Sequence, residues 1–158
     1  MSEINDTAAC DYARTTISWA SQRLGIATLN AMQQATIAAC RNDGEVILIA
    51  PTGSGKTLAY LIPLIARLDN NQTEIQALII LPTRELALQV DNVARAISSG
   101  FKITCCHGGH SFKDEAASLS GHPAIVIGTP GRLLDHLRRG SLCLSHIATC
   151  VIDEYDKC

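Results

Sequence analysis

The stretch Ala50-Pro51-Thr52-Gly53-Ser54-Gly55-Lys56-Thr57 decides how the rest of the chain is read. It follows an apolar run at 45–50 and opens an amphipathic run that starts at Lys56. Gly53 and Gly55 remove side chains on either side of Ser54, so that successive backbone N–H groups can close around a polyphosphate. Lys56 adds a point charge for the outer phosphates, and Thr57 a hydroxyl suited to Mg²⁺. Ala50 stands where the general pattern has glycine, so the flanking elements carry much of the argument. The β-branched and apolar residues at 45–50 predict a buried parallel strand. Leu58, Leu61, Ile62 and Ile65 fall at i, i+3, i+4 and i+7, which predicts a helix over 56–68, kinked at Pro63. Strand, glycine loop and helix in that order place a helix N-terminus, with its partial positive charge, at the phosphate site.

With 158 residues the chain has the size of one domain with a sizeable core. Its residues are 47% hydrophobic and 4% aromatic, a composition of α/β proteins rather than of disordered or fibrous ones. A formal net charge of -2 excludes a generally basic, nucleic-acid-coating protein but leaves room for a local phosphate-binding face. The seven cysteines are odd in number and form no Cys-x-x-Cys pair, which argues against a zinc cluster or a secreted disulfide framework. Cys150, inside an apolar run, reads as a small core residue. No signal sequence opens the chain and no apolar run approaches bilayer-spanning length, so a reducing, cytoplasmic setting without a membrane partner is expected. The sequence carries no sign of oligomeric state.

Residues 8–24 read as a helix with Ile17, Ala20 and Leu24 as its buried stripe, ended by Gly25. A second helix runs from the cap Asn30 through Gln33 and Ile37 toward Cys40 and stops at Asn42-Asp43-Gly44. Strands expected at 76–81, 102–106, 124–128 and 149–152 then alternate with helices at 84–98, 112–119 and 131–139, separated by short links. Such alternation gives a mostly parallel sheet with right-handed crossovers and helices on both faces. Ligands of such sheets sit at the carboxyl ends of the strands.

The last strand runs into Asp153-Glu154. A carboxylate there can hold Mg²⁺ through hard oxygen contacts and water, and its neighbour can orient an attacking water; Asp153 is assigned the metal and Glu154 the water. Taken alone, the pair reads more readily as a solvated strand end. The phosphate loop upstream reverses that preference.

The loop APTGSGKT, the segment Pro82-Thr83-Arg84-Glu85-Leu86-Ala87, the pair Gly108-Gly109, the run Thr129-Pro130-Gly131-Arg132 and Asp153-Glu154-Tyr155-Asp156 occur in one order. In that order and spacing they resemble the DEAD-box RNA helicases, from Gly25 to the end of the chain. The resemblance implies a RecA-like P-loop NTPase fold, with the chain as the first RecA-like domain and residues 1–24 as a helical extension. It implies ATP and Mg²⁺ as cofactors and an activity that couples ATP binding and hydrolysis to RNA binding and local duplex unwinding. It further implies that Gln33 recognises adenine, since a carboxamide both donates to and accepts from one base edge. Without the resemblance Gln33 would read as solvent-facing.

Thr83 and Thr129 each precede a helical pattern, as caps whose neighbouring N–H groups can face a phosphate backbone, with Pro130 in the first turn. On the residues alone these read more readily as ordinary helix caps and a turn. The resemblance assigns Pro82, Thr83, Arg84, Gly108, Gly109, Thr129, Pro130, Gly131 and Arg132 to sequence-independent contacts with the RNA backbone. His107 and His110 flank the glycines and are read as loop residues rather than metal ligands.

Ile26 follows Gly25 where the family carries an aromatic, and Tyr155 replaces the family's alanine, a ring expected to alter packing behind the metal site. The chain ends at Cys158, short of the family's Ser-Ala-Thr motif and second RecA-like domain, whose arginines complete the ATP site. The expectation is weak nucleotide binding and little hydrolysis by these residues alone. Two other readings stand beside this one: another superfamily 2 ATPase acting on DNA, and a non-enzymatic RNA clamp.

Overall fold

The computed structural model describes residues 16–20, 22–42, 44–98 and 100–158. They fall into two compact units, one of Met1–Arg67 with Ala96–Ser99, the other of Leu68–Arg95 with Gly100–Cys158.

In the first unit, residues 16–20 and 22–24 are helical, with Thr16 and Ala20 buried; the rest of the helix expected over 8–24 lies outside the described residues. Helix α1 (Ala31–Ala39) starts at a capping box. The Asn30 carboxamide accepts from the Gln33 N–H at 2.9 Å and Gln33 Oε1 accepts from the Asn30 N–H at 2.9 Å, so two otherwise orphaned donors are satisfied reciprocally. Helix α2 (Lys56–Ala66) packs on α1 and runs through Pro63. Its buried face includes the predicted Leu58, Leu61, Ile62 and Ile65 and also Ala59, Pro63 and Leu64, so the apolar stripe is wider than one helical face.

The strand expected at 45–50 does not form. These residues carry no ladder bonds, and Ile47 and Ile49 are 86% and 91% exposed. The first unit offers no strand among its described residues for them to pair with, and a ladder needs a paired neighbour.

The second unit holds a wholly parallel four-stranded sheet in the order β2-β3-β1-β4. Its strands are β1 (Ala77–Ile80), β2 (Ile103–Cys106), β3 (Ile125–Gly128) and β4 (Thr149–Ile152). The connecting helices are α3 (Arg84–Ile97), α4 (Phe112–Ser120) and α5 (Pro130–Arg138), and a short 3₁₀ turn, Tyr155–Lys157, closes the chain. Leu78 and Val126 point into a core with Cys106, Leu119, Leu133 and Leu142, while Ile79, Ile125 and Ile127, on the opposite side of the pleat, are fully buried too. Burial on both faces explains why β1 and β3 read as unbroken apolar runs. Gly128 lets α5 close on the sheet: a Cβ there would lie 2.5 Å from the Cys106 carbonyl and 2.9 Å from Leu133 Cδ2. Cys150, expected in the core, is exposed instead, because β4 lies at the end of the sheet order with only β1 beside it.

Register sets the functional edge. Ile80 pairs with Gly128 on one side and Ile152 on the other, and Cys106 pairs with Gly128, so all four strands end at one level. The chain leaves that level at Leu81, His107, Thr129 and Asp153.

Candidate functional site

Two groups of residues carry the chemistry, one in each unit. In the first unit, the loop preceding α2 takes positive φ at Gly53 (+80°) and Gly55 (+88°), a region that strains other residues. A Cβ on Gly53 would meet nothing, whereas one on Gly55 would lie 2.5 Å from Gln33 Nε2. Gln33 is 5% exposed, and its Nε2 donates to the Gly55 carbonyl at 3.1 Å while Asn30 Nδ2 donates to Ser54 O at 3.0 Å. Helix α1 is thereby tied to the phosphate loop by side chains at its cap. One amide hydrogen and one carbonyl lone pair of Gln33 remain beyond these bonds, the pair a base edge requires.

Lys56 Nζ donates to the carbonyls of Ala50 and Pro51 at 2.8 and 2.9 Å, folded back over its own loop. Ser54 Oγ is buried without a hydrogen-bond partner. An ammonium held at the loop, an orphaned hydroxyl and two glycines in the left-handed region fit a bound polyphosphate.

In the second unit the carboxylates follow β4. The Asp153 N–H donates to Ile80 O at 3.0 Å, extending the ladder by one residue, and Asp153 Oδ1 accepts from the Glu154 N–H at 2.9 Å. Glu154 sits in the left-handed region (φ 49°, ψ 47°), a conformation that costs a non-glycine residue on the order of 1–3 kcal/mol and is characteristic of functional sites. Lys157 Nζ donates to Glu154 Oε2 at 3.0 Å. The hydrogen bond and charge of Glu154 raise the ammonium's pKa. Tyr155 is 78% exposed, so its ring is not accommodated in the packed interior of this unit.

The residues expected to meet RNA all lie at the level where the strands end. Thr83 caps α3, its Oγ1 accepting from the Leu86 N–H at 3.3 Å. Thr129 is the N-cap of α5 but makes no side-chain cap bond, and Pro130 follows in the first turn. Gly108 and Gly131 face open space, as a close backbone approach requires. Gly109 (φ +88°) lies against Arg84: a Cβ there would come 2.5 Å from Arg84 Nη1.

Arg132, which the resemblance assigns to the RNA backbone, is also engaged inside the protein. Its Nε donates to Glu115 Oε2 at 2.7 Å and its Nη2 to His110 O at 2.7 Å. Glu115, on α4, is 2% exposed and also accepts from His136 Nε2 at 2.8 Å and, through Oε1, from the His107 N–H at 3.1 Å. His136 is fully buried, stacked on Phe112 with ring centroids 4.2 Å apart, and its Nδ1 lies 2.8 Å from Ser141 Oγ. Burial pushes the Glu115 carboxyl upward, but hydrogen bonds from His136, Arg132 and His107, with the Arg132 charge, outweigh it and hold the pKa below the usual carboxylate value. Cys106, Glu115 and His136 offer ligand atoms within 4.8 Å of one another. Burial, then the Glu115 charge, pushes the Cys106 thiol up to about 12, and Arg132 already occupies Glu115, so the cluster is an internally paired network rather than a metal site.

Sequence reasoning passed over Glu115 and His136. The available signals were a carboxylate on the buried stripe of α4, where Phe112, Glu115 and Leu119 share a face, and the i,i+4 spacing of Arg132 and His136 on α5.

A parallel sheet with chemistry-bearing loops at its carboxyl edge, accompanied by a glycine-rich phosphate loop at a helix N-terminus, defines the class of P-loop α/β nucleotide-binding domains. The family model of the DEAD/DEAH box helicases matches residues 30–158. The chain belongs to the DEAD/DEAH box helicase family. It is similar to the ATP-dependent RNA helicase DeaD of Haemophilus influenzae, 39% identical over 137 residues, 85% of this chain and 22% of that protein. To DeaD of Escherichia coli it is 38% identical over 160 residues, 99% of this chain and 25% of that protein. Among solved structures it resembles a DEAD box protein from Methanococcus jannaschii, with a TM-score of 0.74 and 36% identity over 80% of this chain and 35% of that one. A yeast DEAD-box splicing factor superposes with a TM-score of 0.78 and 32% identity, covering 87% of this chain and 34% of the other. The chain therefore spans about a quarter of the length of the curated relatives it matches. Among the described residues no helix is long and apolar enough to cross a membrane.

Proposed function

We propose that this chain is the first RecA-like domain of an ATP-dependent RNA helicase, joined in the working enzyme to a second such domain and acting in the cytoplasm. The observation that carries the reading is the cap of α1 locked to the phosphate loop, Gln33 Nε2 on Gly55 O, because it unites the adenine-reading candidate with the phosphate-binding backbone. The free cysteines at 40, 105, 106, 143, 150 and 158 suit a reducing compartment.

In this reading Thr52, Gly53, Ser54 and Gly55 wrap the phosphates with backbone N–H groups, and Lys56 exchanges its loop carbonyls for phosphate oxygens. Thr57 in the first unit and Asp153 in the second each offer a hard oxygen of the kind that would hold Mg²⁺. Mg²⁺, when bound, would supply the charge that neutralises the terminal phosphates. Glu154 accepts the proton of the attacking water, and Gln33 selects adenine by its remaining donor and acceptor. Pro82, Thr83, Arg84, Gly108, Gly109, Thr129, Pro130 and Gly131 approach the RNA backbone at the strand ends, where open backbone at Gly108 and Gly131 suits phosphate contacts without base readout. The test is ATP turnover by this domain joined to a second RecA-like domain. Single-stranded RNA should stimulate hydrolysis, DNA should not, and Glu154→Gln should abolish turnover while leaving ATP bound. Equal stimulation by DNA contradicts the RNA assignment, and turnover surviving Glu154→Gln contradicts the role of that carboxylate.

A further inference from the structure

We propose that Glu115 is a positioning residue for RNA binding, a buried carboxylate that fixes the 107–110 loop and Arg132 in the geometry the RNA backbone meets. The inference rests on the RNA-binding reading above. Its ground is the pattern of contacts. Glu115 Oε1 accepts from the His107 N–H, one residue before the Gly108-Gly109 pair, and Oε2 accepts from Arg132 Nε, at the start of α5. Arg132 Nη2 then closes the circuit on His110 O, one residue after the glycines. Both ends of the glycine pair are thus held by one carboxylate and its arginine. Arg84 Nη1 also lies beside Gly109, 2.5 Å from where a Cβ would stand, so the PTRELA segment borders the glycine pair that Glu115 and Arg132 hold.

This assignment changes the role of Arg132. Its side chain is 17% exposed and two of its nitrogens are committed inside the protein, so it acts as a brace for the loop rather than as a cation offered to phosphate. Glycines without a side-chain anchor pay a large entropic cost when ordered by a ligand, and bracing their flanks lowers that cost before RNA arrives.

The proposal makes a prediction opposite in sign to simple electrostatics. Removing a carboxylate beside a phosphate-binding face should tighten RNA binding if charge alone matters. If Glu115 positions the loop, its removal weakens binding although a negative charge has gone.

The experiment measures binding of fluorescein-labelled single-stranded oligouridylate to the full chain by anisotropy, with amide hydrogen exchange run in parallel. For Glu115→Ala the expected result is a loss of affinity of about tenfold, the equivalent of one charge-assisted hydrogen bond. His107 should lose exchange protection while Ile125, Val126 and Ile127 in β3 keep theirs, which separates loop release from unfolding. Glu115→Gln is the second variant: isosteric and uncharged, it keeps an acceptor for one of the two ties but turns an amide donor toward the other. It should bind about threefold more weakly than wild type, between wild type and Glu115→Ala. Affinity equal to or tighter than wild type in Glu115→Gln, or in a folded Glu115→Ala, overturns the proposal. A wild-type chain that binds no RNA overturns the RNA-binding reading itself and the proposal with it.

Discussion

Gly55 and Gly109 share a φ of +88° and differ in what a methyl group would meet. At Gly55 the obstacle is Gln33 Nε2, already committed to the Gly55 carbonyl and part of the α1 cap. At Gly109 it is Arg84 Nη1, the far end of a long exposed side chain that can swing aside. Both alanine substitutions carry the left-handed penalty of about 1–2 kcal/mol, but only Gly55→Ala must also break a packed capping arrangement. Gly55→Ala should therefore lower the urea midpoint more than Gly109→Ala does, and should abolish nucleotide binding. Gly109→Ala should leave nucleotide binding intact and weaken RNA binding. Equal destabilisation by the two would show that Gln33 is not held against the loop.

Strand ends and helix starts decide where the chemistry sits, and four of the five expected strands form with bounds close to those the apolar runs suggest. Those runs were readable because burial on both faces of a parallel sheet leaves an unbroken apolar signature between turn residues. The fifth, 45–50, has the same composition and forms no ladder, because composition reports that a segment can be buried and not which edge it will meet. Cys150 fails similarly: its run is apolar, but β4 ends the sheet order, so alternate positions are left exposed. The braced loop between β2 and α4 also makes a prediction about pH. The Glu115 carboxyl has its folded pKa held below the ordinary carboxylate value by its hydrogen bonds and the Arg132 charge, so its contribution to stability is complete above that ordinary value and is lost as pH falls through the lower folded pKa. Urea midpoints of wild type and Glu115→Gln, compared from about pH 6 to about pH 3, should differ by a constant amount above about pH 5 and converge on acidification. A gap that widens on acidification would contradict the paired carboxylate.

Across the whole chain, the motifs were readable and their connections were not. Lys56, Thr57, Asp153 and Glu154 stand out as candidates by residue type and spacing, because phosphate and Mg²⁺ demand particular donors. The Glu115–Arg132–His136 network joins residues 17 and 21 apart, and no local pattern announces such pairing. The chain spans about a quarter of the length of the relatives it matches. Joining a second RecA-like domain should raise ATP turnover by on the order of a thousandfold, the contribution typical of arginines supplied to a phosphoryl-transfer site. Comparable turnover with and without it would place the whole catalytic apparatus within these 158 residues.

The decisive measurement is calorimetric titration of the chain with ADP and with GDP in the presence of Mg²⁺, repeated on Gln33→Ala. The account predicts binding of ADP in clear preference to GDP, and loss of that preference when Gln33 is removed. Equal affinity for the two nucleotides would remove the adenine-reading role of Gln33, and no binding of either would contradict the nucleotide site itself.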